Sequence, residues 1–111
     1  VSTPYARLSQ DYGKLRYIVE LIRPGLIYVD EADRYAKALV TIGATHVEVV
    51  ASRGSLGGAG VTPFTTLTDV SPTSAVDSAF AKVGPDTVAK ILFTSGSTGM
   101  PKGVINTQGM M

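Results

Sequence analysis

Apolar residues recur along this chain with two different periods, and the alternation between them sets out an architecture. Leu15, Ile18, Val19 and Ile22 stand at i, i+3, i+4 and i+7, one stripe of an amphipathic helix. Ser9 or Asp11 can cap its start, and Pro24-Gly25 ends it. Leu26-Ile27-Tyr28-Val29, β-branched and aromatic, reads as a short buried strand. Asp30 and Asp33 follow where N-caps are wanted, and Tyr35, Leu39 and Ile42 mark a second amphipathic helix. Gly43 is placed to close it in the left-handed conformation, which a residue without Cβ adopts at no steric cost. His46 to Ala51 is the next strand.

Helix, strand, helix and strand at this spacing predict an α/β fold, a partial parallel sheet with helical crossovers. Ser52 to Gly60 reads as a loop, with four glycines between Gly54 and Gly60. Thr62-Pro63 predicts an N-cap followed by proline at the first helical position, opening a short turn through Leu67. Ser74 to Val83 is a weak helix, supported by alanines and by Val76, Phe80 and Val83. Gly84-Pro85-Asp86 is a turn, Val88 to Phe93 a third strand and Gly103 to Asn106 a fourth.

Composition narrows the function classes. The net charge of +1, with both signs interspersed, supplies no field for nucleic acid or an anionic membrane, so any anion site must be local. The absence of cysteine excludes disulfides, a thiol nucleophile and a Cys-based zinc site, and fits a cytoplasmic location. No apolar run approaches the roughly 20 residues that span a bilayer. The start at Val1 is neither a signal peptide nor an initiator methionine, and suggests a position inside a longer gene product.

The chemistry concentrates between the last two strands, in Thr94-Ser95-Gly96-Ser97-Thr98-Gly99-Met100-Pro101-Lys102-Gly103. Polyphosphate oxygens are held best by several prearranged donors and a cation. Thr94, Ser95, Ser97 and Thr98 supply hydroxyls, while Gly96, Gly99 and Gly103 let backbone N–H groups approach an anion. Pro101 stiffens the chain before Lys102, whose compact charge suits a β- or γ-phosphate or departing pyrophosphate. The register differs from the kinase-type P-loop, which needs lysine directly after glycine and a hydroxyl next. Here Pro101 precedes the lysine, Gly103 follows it, and a strand replaces the expected helix. The alternative is a Gly/Ser hairpin loop carrying one solvated lysine.

The ten-residue string resembles the signature of the adenylate-forming superfamily, which includes acyl-CoA synthetases, peptide-synthetase adenylation domains and luciferases. That pattern is hydroxyl-hydroxyl-Gly-hydroxyl-Thr-Gly-x-Pro-Lys-Gly, and every position agrees. Pro85 to Phe93 and Gly103 to Thr107 look like the strands flanking that loop. Tyr5, Lys14-Leu15-Arg16, Pro24-Gly25-Leu26 and Thr62-Pro63-Phe64 further resemble feruloyl-CoA synthetases and related aromatic-acid CoA ligases. The resemblance implies ATP, Mg2+ and coenzyme A as reactants and cofactors, and a small carboxylic acid as substrate. It assigns phosphate binding to Thr94, Ser95, Gly96, Ser97, Thr98, Gly99 and Lys102, with Lys102 the catalytic cation. The parent reaction is attack of a carboxylate on the α-phosphate of MgATP, followed by displacement of AMP by the CoA thiol. An adenylation domain that loads an amino acid onto a carrier protein fits the same loop, and so does a non-catalytic fragment.

Two departures qualify that resemblance. Many members carry a histidine shortly after the motif, where this chain has Gln108, a neutral amide that cannot become cationic. Members are also several times longer, so residues 1–111 correspond to a partial N-terminal AMP-binding domain. The aromatic-residue motif, the acidic ribose-binding residue, the hinge and the C-terminal domain have no counterpart in it.

Other residues invite weaker readings. The glycines from Gly54 to Gly60 follow a strand but contain no G-x-G-x-x-G register. His46, the single histidine, has no second imidazole or thiol to share a metal. Asp30, Glu31 and Asp33 lie at a helix start, where capping and dipole compensation explain them better than metal binding.

Overall fold

A computed structural model describes residues 1, 3–8, 10–57, 60–95 and 99–111, which fall into two units, one of residues 2–70 and one of residues 71–111 together with residue 1. In the first unit a short helix, α1 (Pro4–Arg7), precedes α2 (Gly13–Ile22). The apolar stripe of α2 turns inward as its period requires. Leu15 and Ile18 are buried, and Val19 packs against the cluster of Tyr12, Leu15 and Ala38. Asp11 serves the helix start, its Oδ1 accepting the Gly13 N–H at 3.1 Å, one of the donors a helix leaves without an internal partner. Ser9, the other candidate cap, lies outside the described residues. At the far end Arg23, rather than Gly25, turns the chain out with φ 44°, its N–H still bonded to the Val19 carbonyl at 2.9 Å. Pro24 then bars another turn, having no N–H to offer.

Strand β1 (Leu26–Glu31), helix α3 (Ala32–Thr41) and strand β2 (Glu48–Arg53) form the expected parallel crossover. The register sets Leu26 opposite Glu48 and Glu31 opposite Arg53. Ile27 and Val29 are the half-buried positions of β1 and lie with Leu39, Ala44 and Val49 in one cluster. Val49, Val50 and Ala51 are all buried, as expected for the middle strand of a parallel sheet that has helices against it. The Arg16 guanidinium donates to the Thr41 carbonyl at 3.0 Å, placing a cation at the C-terminal end of α3.

Four local readings change. The N-cap of α3 is Glu31, in extended conformation, and not Asp30 or Asp33. Asp30 stays in β1, while Asp33 occupies the first helical turn and accepts the Ser55 N–H at 3.2 Å. Gly43 does close α3 left-handed at φ 69°, but the turn it makes continues as a 3-10 segment, Ala44–His46. His46 is therefore outside the strand, and β2 instead runs on through Ser52 and Arg53. There the Arg53 guanidinium meets Glu31 at 3.1 Å and continues the pairing with β1. Thr62-Pro63 forms a two-residue strand, β3, parallel to β2, and Pro63 is the N-cap of α4 (Phe64–Thr68) rather than its first residue. The Thr62 hydroxyl, expected to cap, donates to Glu48 Oε1 at 2.9 Å instead. Proline is tolerated in β3 because that strand lies at the sheet edge.

The second unit contains α5 (Ser74–Phe80) and the antiparallel pair β4 (Val88–Thr94) and β5 (Lys102–Thr107). Helix α5 stops short of Val83, since Val76 and Phe80 are 56% and 76% exposed and the stripe that would hold a longer helix is not buried. The turn at Gly84-Pro85-Asp86 is closed by Thr87, whose N–H donates to the Gly84 carbonyl at 3.0 Å while its Oγ1 accepts the Gly84 N–H at 2.9 Å. The chain is thus a mixed α/β protein with a three-stranded parallel sheet and a separate strand–loop–strand unit.

Candidate phosphate-binding hairpin

The hydroxyl- and glycine-rich segment connects β4 to β5. Its two ends are fixed by the ladder, which sets Thr94 opposite Lys102, Phe93 opposite Gly103, Leu92 opposite Val104 and Ile91 opposite Ile105. Side chains alternate between faces along a strand. Thr94 and Lys102 consequently share one face with Leu92 and Val104, and Phe93 and Gly103 share the other with Ile91 and Ile105.

Thr94, Ser95, Gly99 and Lys102 are all exposed at this end of the hairpin. Gly99 holds φ 93°, a conformation that a side chain would strain. Pro101, directly before the lysine, is fully buried. Among the described residues no carboxylate pairs with Lys102, which leaves a hydroxyl and an uncompensated ammonium adjacent on one surface. Gly96, Ser97 and Thr98, also expected to bind phosphate, lie outside the described residues.

Gly103 has a local reason that spacing alone does not disclose. A Cβ built there would come within 3.0 Å of Ile91 Cγ2 and 3.4 Å of Phe93 Cε1. The strand carrying Lys102 therefore runs close beneath those two side chains, and a methyl group there would press chiefly on Ile91. An aromatic residue opposite a strand glycine is the signal that could have revealed it.

Gln108 sits elsewhere. It begins a 3-10 turn, Gln108–Met110, at the opposite end of β5, with its N–H on the Thr87 carbonyl at 2.9 Å. At about 3.3 Å per strand residue this is roughly 20 Å along the chain from Lys102. The Gly109 N–H donates to the Pro85 carbonyl at 2.8 Å and completes the clamp. The neutral amide at position 108 thus belongs to the end of the hairpin remote from the candidate site.

The weaker candidates are accounted for structurally. Glu31 accepts from Arg34 at 2.8 Å and Arg53 at 3.1 Å. Asp33 is engaged by Ser55, and Gly54 and Gly57 hold φ 85° and 61° in the loop after β2. Among the described residues no three His, Asp or Glu side chains converge as a metal site. Among the described residues the hairpin presents an ammonium and hydroxyls, which suit phosphate better than a divalent cation.

The sequence pattern of the AMP-binding enzyme family matches residues 5–111. The chain belongs to this family of AMP-binding enzymes. Its members are adenylate-forming ligases that use ATP and a carboxylate, in agreement with the superfamily the loop resembles. The chain is 37% identical over 78 residues to nonribosomal peptide synthetase 32 of Fusarium pseudograminearum, a match covering 68% of this chain and 1% of the relative. It is 34% identical over 93 residues to apicidin F synthase of Gibberella fujikuroi, covering 83% of this chain and 2% of that relative. The AMP-binding chain thus spans a very small part of the relatives it matches. No solved structure matches it. Among the described residues no helix is long and apolar enough to cross a membrane.

Proposed function

We propose that this AMP-binding chain supplies the phosphate-holding hairpin of an enzyme that activates a carboxylate with ATP, as part of an N-terminal AMP-binding domain in a longer polypeptide. The observation that carries the reading is the cross-strand pairing of Thr94 with Lys102 at the mouth of a loop bearing the superfamily's signature. Lys102 meets the β- and γ-phosphates and neutralises charge on the departing pyrophosphate. Thr94, Ser95, Gly96, Ser97, Thr98 and Gly99 orient the polyphosphate so that the carboxylate attacks the α-phosphate in line. The α-phosphate–oxygen bond breaks, the acyl-adenylate forms, and pyrophosphate leaves with the bridging electron pair. No residue of the hairpin acts as nucleophile or general base.

Two acceptors follow from two observations. The stretches Tyr5, Lys14-Leu15-Arg16, Pro24-Gly25-Leu26 and Thr62-Pro63-Phe64 favour an aromatic or cinnamic acid passed to coenzyme A. Similarity to a protein named as a nonribosomal peptide synthetase equally favours an amino acid passed to a carrier thiol. Carboxylate-dependent ATP–pyrophosphate exchange by the natural polypeptide, run with both acid classes, tests the reading. Exchange with amino acids selects the second acceptor class and exchange with cinnamic-type acids the first. Absence of exchange with either class overturns the proposal. The 111 residues alone are expected to bind pyrophosphate without catalysing exchange.

A further inference from the structure

We propose that Met100 is a redox-modification site whose oxidation to the sulfoxide weakens anion binding at Lys102. The inference rests on the reading of Lys102 as a phosphate-binding cation. The chain has no cysteine, so its three methionines, Met100, Met110 and Met111, carry its only sulfur atoms. Met100 is 44% exposed and stands inside the signature, at the one position of the ten where that pattern fixes no residue type. Met100 and Lys102 are both exposed while Pro101 between them is fully buried, so the thioether and the ammonium share the solvent side of one short segment. In extended chain their Cα atoms are about 7 Å apart, a gap that two long unbranched side chains can close.

The backbone around Met100 has little room to yield. Gly99 before it holds φ 93°, a residue that precedes proline is confined to extended conformations, and Pro101 is itself packed. A change of polarity at the Met100 tip is therefore felt by its neighbours at the hairpin mouth. A peroxide supplies that change. The sulfur lone pair attacks one peroxide oxygen, the S–O bond forms as the O–O bond breaks, and the leaving hydroxide takes a proton to become water. Sulfur loses two electrons and the peroxide gains them. The product replaces an apolar tip with a polar acceptor oxygen. Lys102 has no carboxylate partner among the described residues and is the cation nearest to Met100 in sequence. A charge-assisted hydrogen bond from its ammonium to the sulfoxide oxygen competes with phosphate for the same donor.

Treatment of the 111-residue chain with hydrogen peroxide, followed by peptide mass spectrometry and titration with inorganic pyrophosphate, tests the switch. Met110 and Met111, 73% and 72% exposed and beyond the far end of β5, are internal controls whose oxidation should leave binding unchanged. In Met110→Leu/Met111→Leu, where Met100 carries the only sulfur, oxidation should weaken pyrophosphate binding about three- to tenfold, the range that one competing hydrogen bond supplies. Enzymatic reduction of the sulfoxide should restore it. Met100→Leu should bind like untreated wild type and ignore peroxide. Met100→Gln, an uncharged acceptor of similar length, should bind weakly with no oxidant present. Equal affinity before and after oxidation of Met100, or the same peroxide-induced loss in Met100→Leu, overturns the switch and leaves the reading of Lys102 intact. An untreated wild-type chain that fails to bind pyrophosphate overturns that reading and the switch with it.

Discussion

Thr94 and Lys102 are direct partners in the antiparallel pair β4–β5, one closing the strand that leads into the loop and the other opening the strand that leaves it. A hydroxyl and an ammonium are thus held as neighbours by main-chain hydrogen bonding, independently of the loop between them. Directly opposite residues in such a pair have Cβ atoms about 5 Å apart, a span that phosphate oxygens can bridge.

Lys102→Ala in the natural polypeptide should slow carboxylate-dependent ATP–pyrophosphate exchange by about 10²–10³-fold, the usual cost of losing one prearranged charge stabiliser. Transfer of the acyl group to a thiol should slow much less, because AMP rather than pyrophosphate then leaves. Lys102→Arg should retain part of the exchange, since charge survives although the compact ammonium does not. Measuring the two half-reactions separately decides the matter. Equal losses in both would assign Lys102 to loop integrity instead.

A second prediction concerns the clip between α3 and the loop after β2. Gly54 has φ 85°, and a Cβ there would overlap the Asp33 carboxylate and lie 3.1 Å from the Ala32 nitrogen. Gly54→Ala should destabilise the first unit by about 1–3 kcal/mol, the typical cost of a side chain in such a conformation. Gly25→Ala is the control, with open space around it and no positive φ. It should be neutral or stabilising by roughly 0.4–1 kcal/mol through the unfolded chain. Denaturant titration of both variants distinguishes local strain from a general intolerance of lost glycine.

Much of this fold was legible because period and burial agree. Leu15 and Ile18 predict the inward face of α2, and Gly43 predicts the left-handed exit from α3; each choice is dictated within a few residues. Most of what was missed depends on partners distant in sequence. Thr62 looks like a cap until Glu48 takes its hydroxyl, and Asp33 looks like a cap until Ser55 takes its carboxylate. His46 leaves the strand because Gly43 winds the chain into a further tight turn. At the candidate site the donors were visible as residue types, whereas the reason for Gly103 lies across the ladder in Phe93 and Ile91.

The same contrast between local and tertiary causes predicts unequal effects within one helix. Ile18 is completely buried and Leu21 is 56% exposed, although both belong to α2. Ile18→Ala should cost about 2–5 kcal/mol, as large-to-small changes in packed cores do. Leu21→Ala should fall within roughly 0.5 kcal/mol of wild type. Comparable losses at both positions, measured by equilibrium unfolding, would contradict the docked orientation of α2.

The last prediction follows from the apolar surface of the hairpin unit. Ile91 and Ile105 pair on one face and Leu92 and Val104 on the other, and all four are at least 41% exposed. Among the described residues their sheet has two strands, so each also has an outer edge of main-chain groups without a strand partner. Open edges beside apolar side chains favour pairing with another copy. The 111-residue chain should therefore self-associate as concentration rises. Val104→Thr and Ile105→Thr keep β-branched residues that suit a strand while replacing a methyl or larger group with a hydroxyl. Together they should reduce association without abolishing the ladder. Light scattering and sedimentation of the two forms test this. A wild-type chain that stays monodisperse and unfolds cooperatively at high concentration would show that these faces are not the adhesive surfaces their exposure implies.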